Sequence, residues 1–269
     1  MGAVLFSLRV AVVVLAWIVI TLAFAVVSLP LWGSRWLASG YARTMSWAAM
    51  RLIGVRLDVR HLERVRQSRP CIFVANHQSN LDYLFLGAVY PTRTVVIGKR
   101  SVALVPFFGL LYLATRNILI DRRVRAKAIA GLDLAVRAMK TRGESIWIFP
   151  EGTRNRTGDR LGPLKKGAFH MALEAQVPLV PIVLSPIGGY VDFRAKRMRG
   201  GTARIDVLEP IPTAGLTIAD LDALRERTRE AMWRGLEAME KKDAAPLPEA
   251  IAPPGAEPLL PRRDEARAT

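Results

Sequence analysis

One cysteine in 269 residues, Cys71, leaves no intrachain disulfide to form and no zinc site built on cysteine. It stands inside the apolar run "CIFVAN" and reads as a buried core thiol. Histidine is almost as scarce. His61, His77 and His170 show no metal-ligand spacing, so no metal is expected. There is no Gly-x-Ser-x-Gly elbow, which argues against a serine hydrolase. "GKRS" lacks the earlier glycine of a phosphate loop, because Arg93 stands in its place. Acidic residues are few: 23 Asp and Glu face 39 Lys and Arg, a net charge of +16. Such a surface favours polyanions, whether nucleic acid, anionic headgroups or phosphorylated substrates. The basic stretches lack the interleaved aromatics of a nucleic-acid surface, so no nucleic-acid partner is expected.

Charge is rarest at the start. Arg9 is the one charged side chain in the first 34 residues, and Val10 to Trp32 is an uncharged, mostly apolar run of 23. As a helix that run reaches about 35 Å, against roughly 30 Å for a bilayer core. It exceeds the about 7 to 15 apolar residues of a signal peptide, and "SLPLWG" offers no clean cleavage site. An uncleaved anchor is expected. Myristoylation is not, because Phe6 stands where Ser or Thr is required. Residues 35 to 69 carry eight arginines against Asp58 and Glu63. The positive-inside bias then puts the rest of the chain on the cytoplasmic face of the membrane.

Leu37, Tyr41, Met45, Ala48 and Leu52 form a helical stripe, with Trp36 and Trp47 near it. Residues 35 to 53 therefore read as an amphipathic helix on the membrane surface, or as a helix packed on the domain. The anchor is either a full span or one arm of a hairpin in a single leaflet. The organisation expected is an anchoring segment over 1–53, a catalytic domain over 54–243, and a disordered Pro/Ala-rich tail over 244–269.

Between anchor and tail, short β-branched runs alternate with helical patterns. Strands are expected at "VRLDVR", "CIFVAN", "TVVIG", "NILID", "SIWIFP", "LVPIVLS" and "ARIDVLE". Helices are expected near 80–90, 103–114, 122–141, 165–175 and 217–241. That alternation predicts an α/β fold around a mainly parallel sheet flanked by helices. Functional residues in such folds gather in the loops after strand ends.

Two strand ends stand out. In "NHQSNLD", His77 lies in a strand-to-helix turn, and Asp82 follows five positions later. Asp82 can orient the imidazole and leave its other nitrogen as a base. It can equally close a capping box with Ser79. In "FPEGTRNR", a buried strand stops at Pro150 and a polar turn follows. Amides around Gly152, the Thr153 hydroxyl and the Arg154 guanidinium make an anion site. Glu151 either pairs with Arg154 to hold the turn or contacts a substrate hydroxyl. Lys99 and Arg100, Arg122 and Arg123, and Lys165 and Lys166 add cations after other strand ends.

"NHQSNLD", "ILIDR", "FPEGTR" and "VPLVPIVL" occur in an order that strongly resembles the lysophosphatidic acid acyltransferases (1-acyl-sn-glycerol-3-phosphate acyltransferases). The resemblance covers about residues 70 to 185. It implies the glycerolipid acyltransferase fold, an acyl-CoA or acyl-acyl-carrier-protein donor, and lysophosphatidic acid as acceptor among membrane lipids. No cofactor is implied. It makes His77 and Asp82 the catalytic pair. Glu151, Gly152, Thr153 and Arg154, with Arg122 and Lys99, become the acceptor-binding residues. Acylation of glycerol 3-phosphate or a lyso-aminolipid is the alternative activity. A membrane protein that binds anionic lipid without chemistry is the alternative class.

Overall fold

The computed structural model describes residues 2–121, 124–155 and 159–243. Arg122, Arg123 and the tail from 244 lie outside the described residues. The order of elements is α1 (Gly2–Ser28), α2 (Arg35–Ile53), β1 (Val55–Arg60), α3 (Arg64–Gln67), β2 (Ile72–Ala75) and α4 (Asp82–Leu86). Then come β3 (Thr94–Lys99), α5 (Phe108–Ala114), β4 (Ile118–Ile120), α6 (Arg125–Arg142), β5 (Ser145–Ile148) and α7 (Gly167–Ala175). The chain closes with β6 (Leu179–Leu184), β7 (Val191–Asp192), β8 (Arg197–Met198), β9 (Gly201–Val207) and α8 (Leu221–Asp243). Every strand expected from the sequence forms, each within two residues of its expected ends.

Seven strands make one sheet in the order β1-β9-β6-β2-β5-β3-β4. The five from β6 to β4 run parallel, whereas β9 meets β6 antiparallel and carries β1 with it. The start of β9 therefore lies at the same sheet edge as the ends of β2, β5 and β6. Central strands of such a sheet are buried on both faces and read as continuous apolar runs. Alternation within β2 splits its side chains between two cores. Phe73 and Ala75 face the layer of α2 and α4, while Ile72 and Val74 face α6, α7 and α8.

The layer over Phe73 decides between the two readings of residues 35 to 53. Leu37, Tyr41, Met45, Ala49, Met50 and Ile53 are buried in the same core as Phe73 and Phe85. At Gly87 a Cβ would stand 2.4 Å from the Ala42 carbonyl oxygen, so α2 rests directly on that turn. The apolar stripe of α2 covers the sheet. This corrects the expectation of an interfacial amphipathic helix. A parallel sheet needs helices on both faces, and α2 supplies part of one layer. Residue 53 is accordingly no packing boundary. Trp36 and Trp47 point outward, and the Arg51 guanidinium lies 5.6 Å from the Trp47 ring.

α1 is long and apolar enough to cross a membrane, with a mean hydropathy of 3.0 over its most apolar window. It folds back along α2 as a hairpin. Thr21 Oγ1 and the Tyr41 hydroxyl share a hydrogen bond of 2.9 Å, and Phe24 meets the Tyr41 ring edge-on. The lone charge of this segment is used within the protein. Arg9 donates to the carbonyls of Leu52, Ile53 and Met198 at 3.3, 3.2 and 3.4 Å. A cation is favoured at the carboxyl end of a helix, and Leu52 and Ile53 close α2.

Candidate active site

The two motifs meet because β2 and β5 are neighbours in register. Val74 pairs with Ile148, so the residues just beyond both strands emerge side by side. The His77 main-chain N–H donates to Glu151 Oε1 at 2.7 Å across 74 positions of sequence. The Asn155 N–H donates back to the His77 carbonyl at 2.7 Å. One turn is thus bound to the other at two points, and Arg154 lies between them in sequence.

His77 Nδ1 and Asp82 Oδ2 are 2.7 Å apart. Asp82 is fully buried, while the imidazole keeps about a fifth of its surface exposed. Oδ2 also accepts the main-chain N–H groups of Gln78 and Ser79 at 2.7 and 3.0 Å. A carboxylate can only accept, so Nδ1 is the donor of this pair and Nε2 is the ring nitrogen not engaged by Asp82. Both sequence readings of Asp82 hold together: one oxygen orients the imidazole and satisfies the turn. The capping box is half made, since Ser79 Oγ takes the Leu81 N–H instead of that of Asp82. The Phe149 ring stacks on the imidazole, with centroids 4.2 Å apart and planes at 18°.

Two neighbours of His77 do work that sequence reasoning missed. Asn76 is buried and exchanges both amide bonds with Leu184, at 3.0 Å to its carbonyl and 2.8 Å from its N–H. Its side chain thereby extends the β2–β6 ladder just where the His77 turn begins. Gln78 Nε2 donates to the carbonyls of Leu184 and Ser185 at 2.9 and 3.1 Å. The available signal was position: both amides flank the histidine directly.

Glu151 corrects the expected ion pair with Arg154. Its carboxylate is buried, and its oxygens accept the N–H groups of His77 and Gly162, at 2.7 and 2.9 Å. It forms no ion pair with Arg154, and each of its oxygens is taken by a main-chain donor. Burial raises its pKa above the ordinary carboxylate value, partly offset by the two N–H donors. Gly152 is corrected in part. Its φ of +69° makes it a turn glycine, but its N–H donates to the Phe149 carbonyl at 3.1 Å. That amide is not left for an anion.

Thr153 is exposed and Arg154 half-buried in the turn after β5. Lys99 is exposed at the end of β3, the strand beside β5, where Val96 pairs with Trp147. Lys165 joins them. Its N–H donates to the Pro150 carbonyl at 2.7 Å, and its Cγ would lie 3.2 Å from a Cβ on Gly152. Lys99, Arg154 and Lys165 thus lie at the end of the sheet where β3 and β5 finish, the same end at which β2 leads into His77. His61 pairs with Asp206 at 2.7 Å, and His170 is exposed on α7.

These features have parallels. The sequence pattern of the family described as Acyltransferase matches residues 56–185. The chain is 40% identical over 181 residues to human 1-acyl-sn-glycerol-3-phosphate acyltransferase alpha, covering 67% of this chain and 64% of that protein. It is 36% identical over 193 residues to the 1-acyl-sn-glycerol-3-phosphate acyltransferase of Haemophilus influenzae, covering 72% of this chain and 79% of that one. The chain spans a little under two thirds of the length of the animal relatives it matches. In fold it is similar to the crystal structure of the 1-acyl-sn-glycerophosphate (LPA) acyltransferase PlsC from Thermotoga maritima. That likeness has a TM-score of 0.72 at 22% identity and covers 93% of this chain and all of that one. The chain belongs to the acyltransferase family that includes the 1-acyl-sn-glycerol-3-phosphate acyltransferases.

Proposed function

We propose that this chain transfers a fatty acyl group from a thioester to the sn-2 hydroxyl of 1-acyl-sn-glycerol 3-phosphate, forming phosphatidic acid. The observation that carries the reading is the 2.7 Å pair of His77 Nδ1 and Asp82 Oδ2, beside the turn that contains Arg154. The acceptor hydroxyl has a very high pKa, whereas the thioester is already activated. Nε2 removes the hydroxyl proton as the oxygen attacks the thioester carbonyl, so no free alkoxide forms. The buried Asp82 carboxylate stabilises the imidazolium. The tetrahedral intermediate collapses, the carbon–sulfur bond breaks, and the imidazolium returns its proton to the departing thiolate. No side-chain nucleophile is needed, and transfer is direct.

Arg154 grips the acceptor phosphate with a bidentate fork, and Lys99, Thr153 and Lys165 add charge and a hydroxyl around it. The grip holds the hydroxyl at Nε2 and supplies proximity. Glu151 is a positioning residue that fixes the His77 main chain. The donor is a fatty acyl thioester of coenzyme A or of acyl-carrier protein.

The lipid acceptor also explains the membrane-associated half of the molecule. α1 touches the domain at both ends, through Arg9 near its start and through the Gly33 N–H on the Ala114 carbonyl after its end. A helix held along the domain in this way does not run free through a bilayer. We infer that the hairpin enters one leaflet sideways, on the cytoplasmic face, and carries the site to its lipid. The exposed faces of α1 and of α5, with Leu110 and Leu113, supply the apolar surface.

The reading is tested by mass spectrometry of products from purified protein given a mixed thioester pool with lysophosphatidate or lysophosphatidylethanolamine. Thioester-dependent phosphatidic acid with little acylated ethanolamine lipid supports it. Equal use of both acceptors removes the phosphate grip.

A further inference from the structure

The excursion between β6 and β9 meets the site above only at its root, where Gln78 holds it. It leaves the sheet at Ser185, whose carbonyl is held by Gln78 of the catalytic turn, and returns at Gly201. Between them β7 and β8 form a two-stranded hairpin pairing Val191 with Met198 and Asp192 with Arg197. The hairpin carries Arg194, Lys196, Arg197 and Arg199 against one acidic residue, Asp192. Asp192 is turned inward on its own loop and accepts the N–H groups of Arg194 and Ala195 at 2.9 and 2.8 Å.

This hairpin lands on the start of α1. Phe193 meets Phe6 edge to face at 6.0 Å, and the Met198 carbonyl accepts from Arg9. Between hairpin and helix lies an open cleft of about 290 Å³. Lys196, Arg197 and Arg199 line it from the hairpin, Leu5 and Phe6 from the helix, and Arg9 lies between. The Arg9 guanidinium is held there by three carbonyls. Next to the cleft, Val4, Leu5, Leu8 and Phe193 are exposed. Cations and apolar groups thus meet at one place, on the sheet edge that also carries His77.

We propose that this cleft is a second lipid site, which holds the phosphodiester headgroup of an anionic phospholipid of the bilayer. Leu5 and Phe6 lie along the upper acyl chain, and Lys196, Arg197 and Arg199 contact the phosphate. A free phosphate ion would use the cations but not the apolar wall, whereas a phospholipid uses both. The bound lipid fixes the rotation of the domain about the hairpin axis, so the catalytic edge faces the bilayer surface. The inference rests on α1 reaching the membrane, but not on acyl transfer.

The test uses full-length protein in detergent micelles, with no thioester present. Phosphatidylglycerol or phosphatidylcholine is added, and retained lipid is counted by native mass spectrometry. Wild-type protein should retain phosphatidylglycerol in preference. Replacing Lys196, Arg197 and Arg199 by Gln together should reduce that preference roughly a hundredfold at low salt, at about a tenfold step or less per charge. These three side chains are exposed, so the melting temperature should not move. The single variant Arg197→Glu gives the same direction if the triple variant folds poorly. Arg154→Ala should leave the preference intact, which separates this cleft from the acceptor site. Unchanged preference in the hairpin variants overturns the proposal. So does displacement of the lipid by millimolar inorganic phosphate, which would mark a site for the free ion.

Discussion

The Glu151 carboxylate and the His77 main-chain N–H are joined at 2.7 Å, and the other Glu151 oxygen holds Gly162. Glu151 in the turn after β5 therefore fixes the main chain at His77. Glu151→Ala leaves two buried N–H groups without acceptors, at about 1–3 kcal/mol each. The melting temperature should fall by about 5 °C or more, and turnover should drop with both substrates. Gly162→Ala should act in the same direction, because its Cβ would stand 2.6 Å from Glu151 Oε2. That carboxylate is held by two donors and cannot swing aside cheaply. Normal stability in both variants would show that the bridge carries no weight.

The same carboxylate gives a pH signature. Its pKa is raised in the folded protein by burial. The unfolded chain therefore releases this proton first as pH rises. The stability Glu151 contributes is complete below its unfolded pKa and is lost as pH climbs through the folded one. Asp192 and Asp220 run the other way, since hydrogen bonds lower their pKa values and acid removes their contribution. The comparison that isolates Glu151 is wild type against Glu151→Gln by thermal melting from pH 4 to 8. Wild type should lose stability relative to the variant on the way up; a gap that is flat with pH contradicts the assignment.

Cys71 should be chemically silent while the protein is folded. It is fully buried, and burial pushes its thiol up to about 12. Little thiolate exists at pH 8, and no reagent reaches it. Iodoacetamide should label it only in denaturant. Stoichiometric labelling of native protein would mean that the β2 core opens readily.

Arg154→Ala should raise the Michaelis constant for lysophosphatidate roughly tenfold to a hundredfold, with much less effect on the donor. Arg154→Lys should recover only part, because a point charge cannot reproduce the fork. The melting temperature should hold, since Glu151 does not depend on Arg154. Equal losses for both substrates would remove Arg154 from the acceptor site.

The strands and the His77–Asp82 turn were legible in the sequence because each rests on local pattern. β-branched runs end in polar turns, and two ionisable groups sit at one such end. Glu151 was not legible. Its partners, His77 and Gly162, lie 74 and 11 positions away, and only the β2–β5 register brings the first within reach. A glutamate beside an arginine invites an ion pair, whereas burial gave it two main-chain donors instead. α2 failed for a related reason. Its apolar stripe has the same period whether it faces lipid or a sheet. Phe73 and Phe85, which it covers, are remote in sequence.

The central claim is that His77 is the base of acyl transfer. The most direct measurement is turnover of His77→Ala with lysophosphatidate and an acyl thioester, made beside lysophosphatidate binding and thermal melting on the same preparation. The account predicts a rate reduced by about 10² to 10⁴ or more, with binding and folding retained. Near-normal turnover in a folded, lysophosphatidate-binding His77→Ala protein would contradict it.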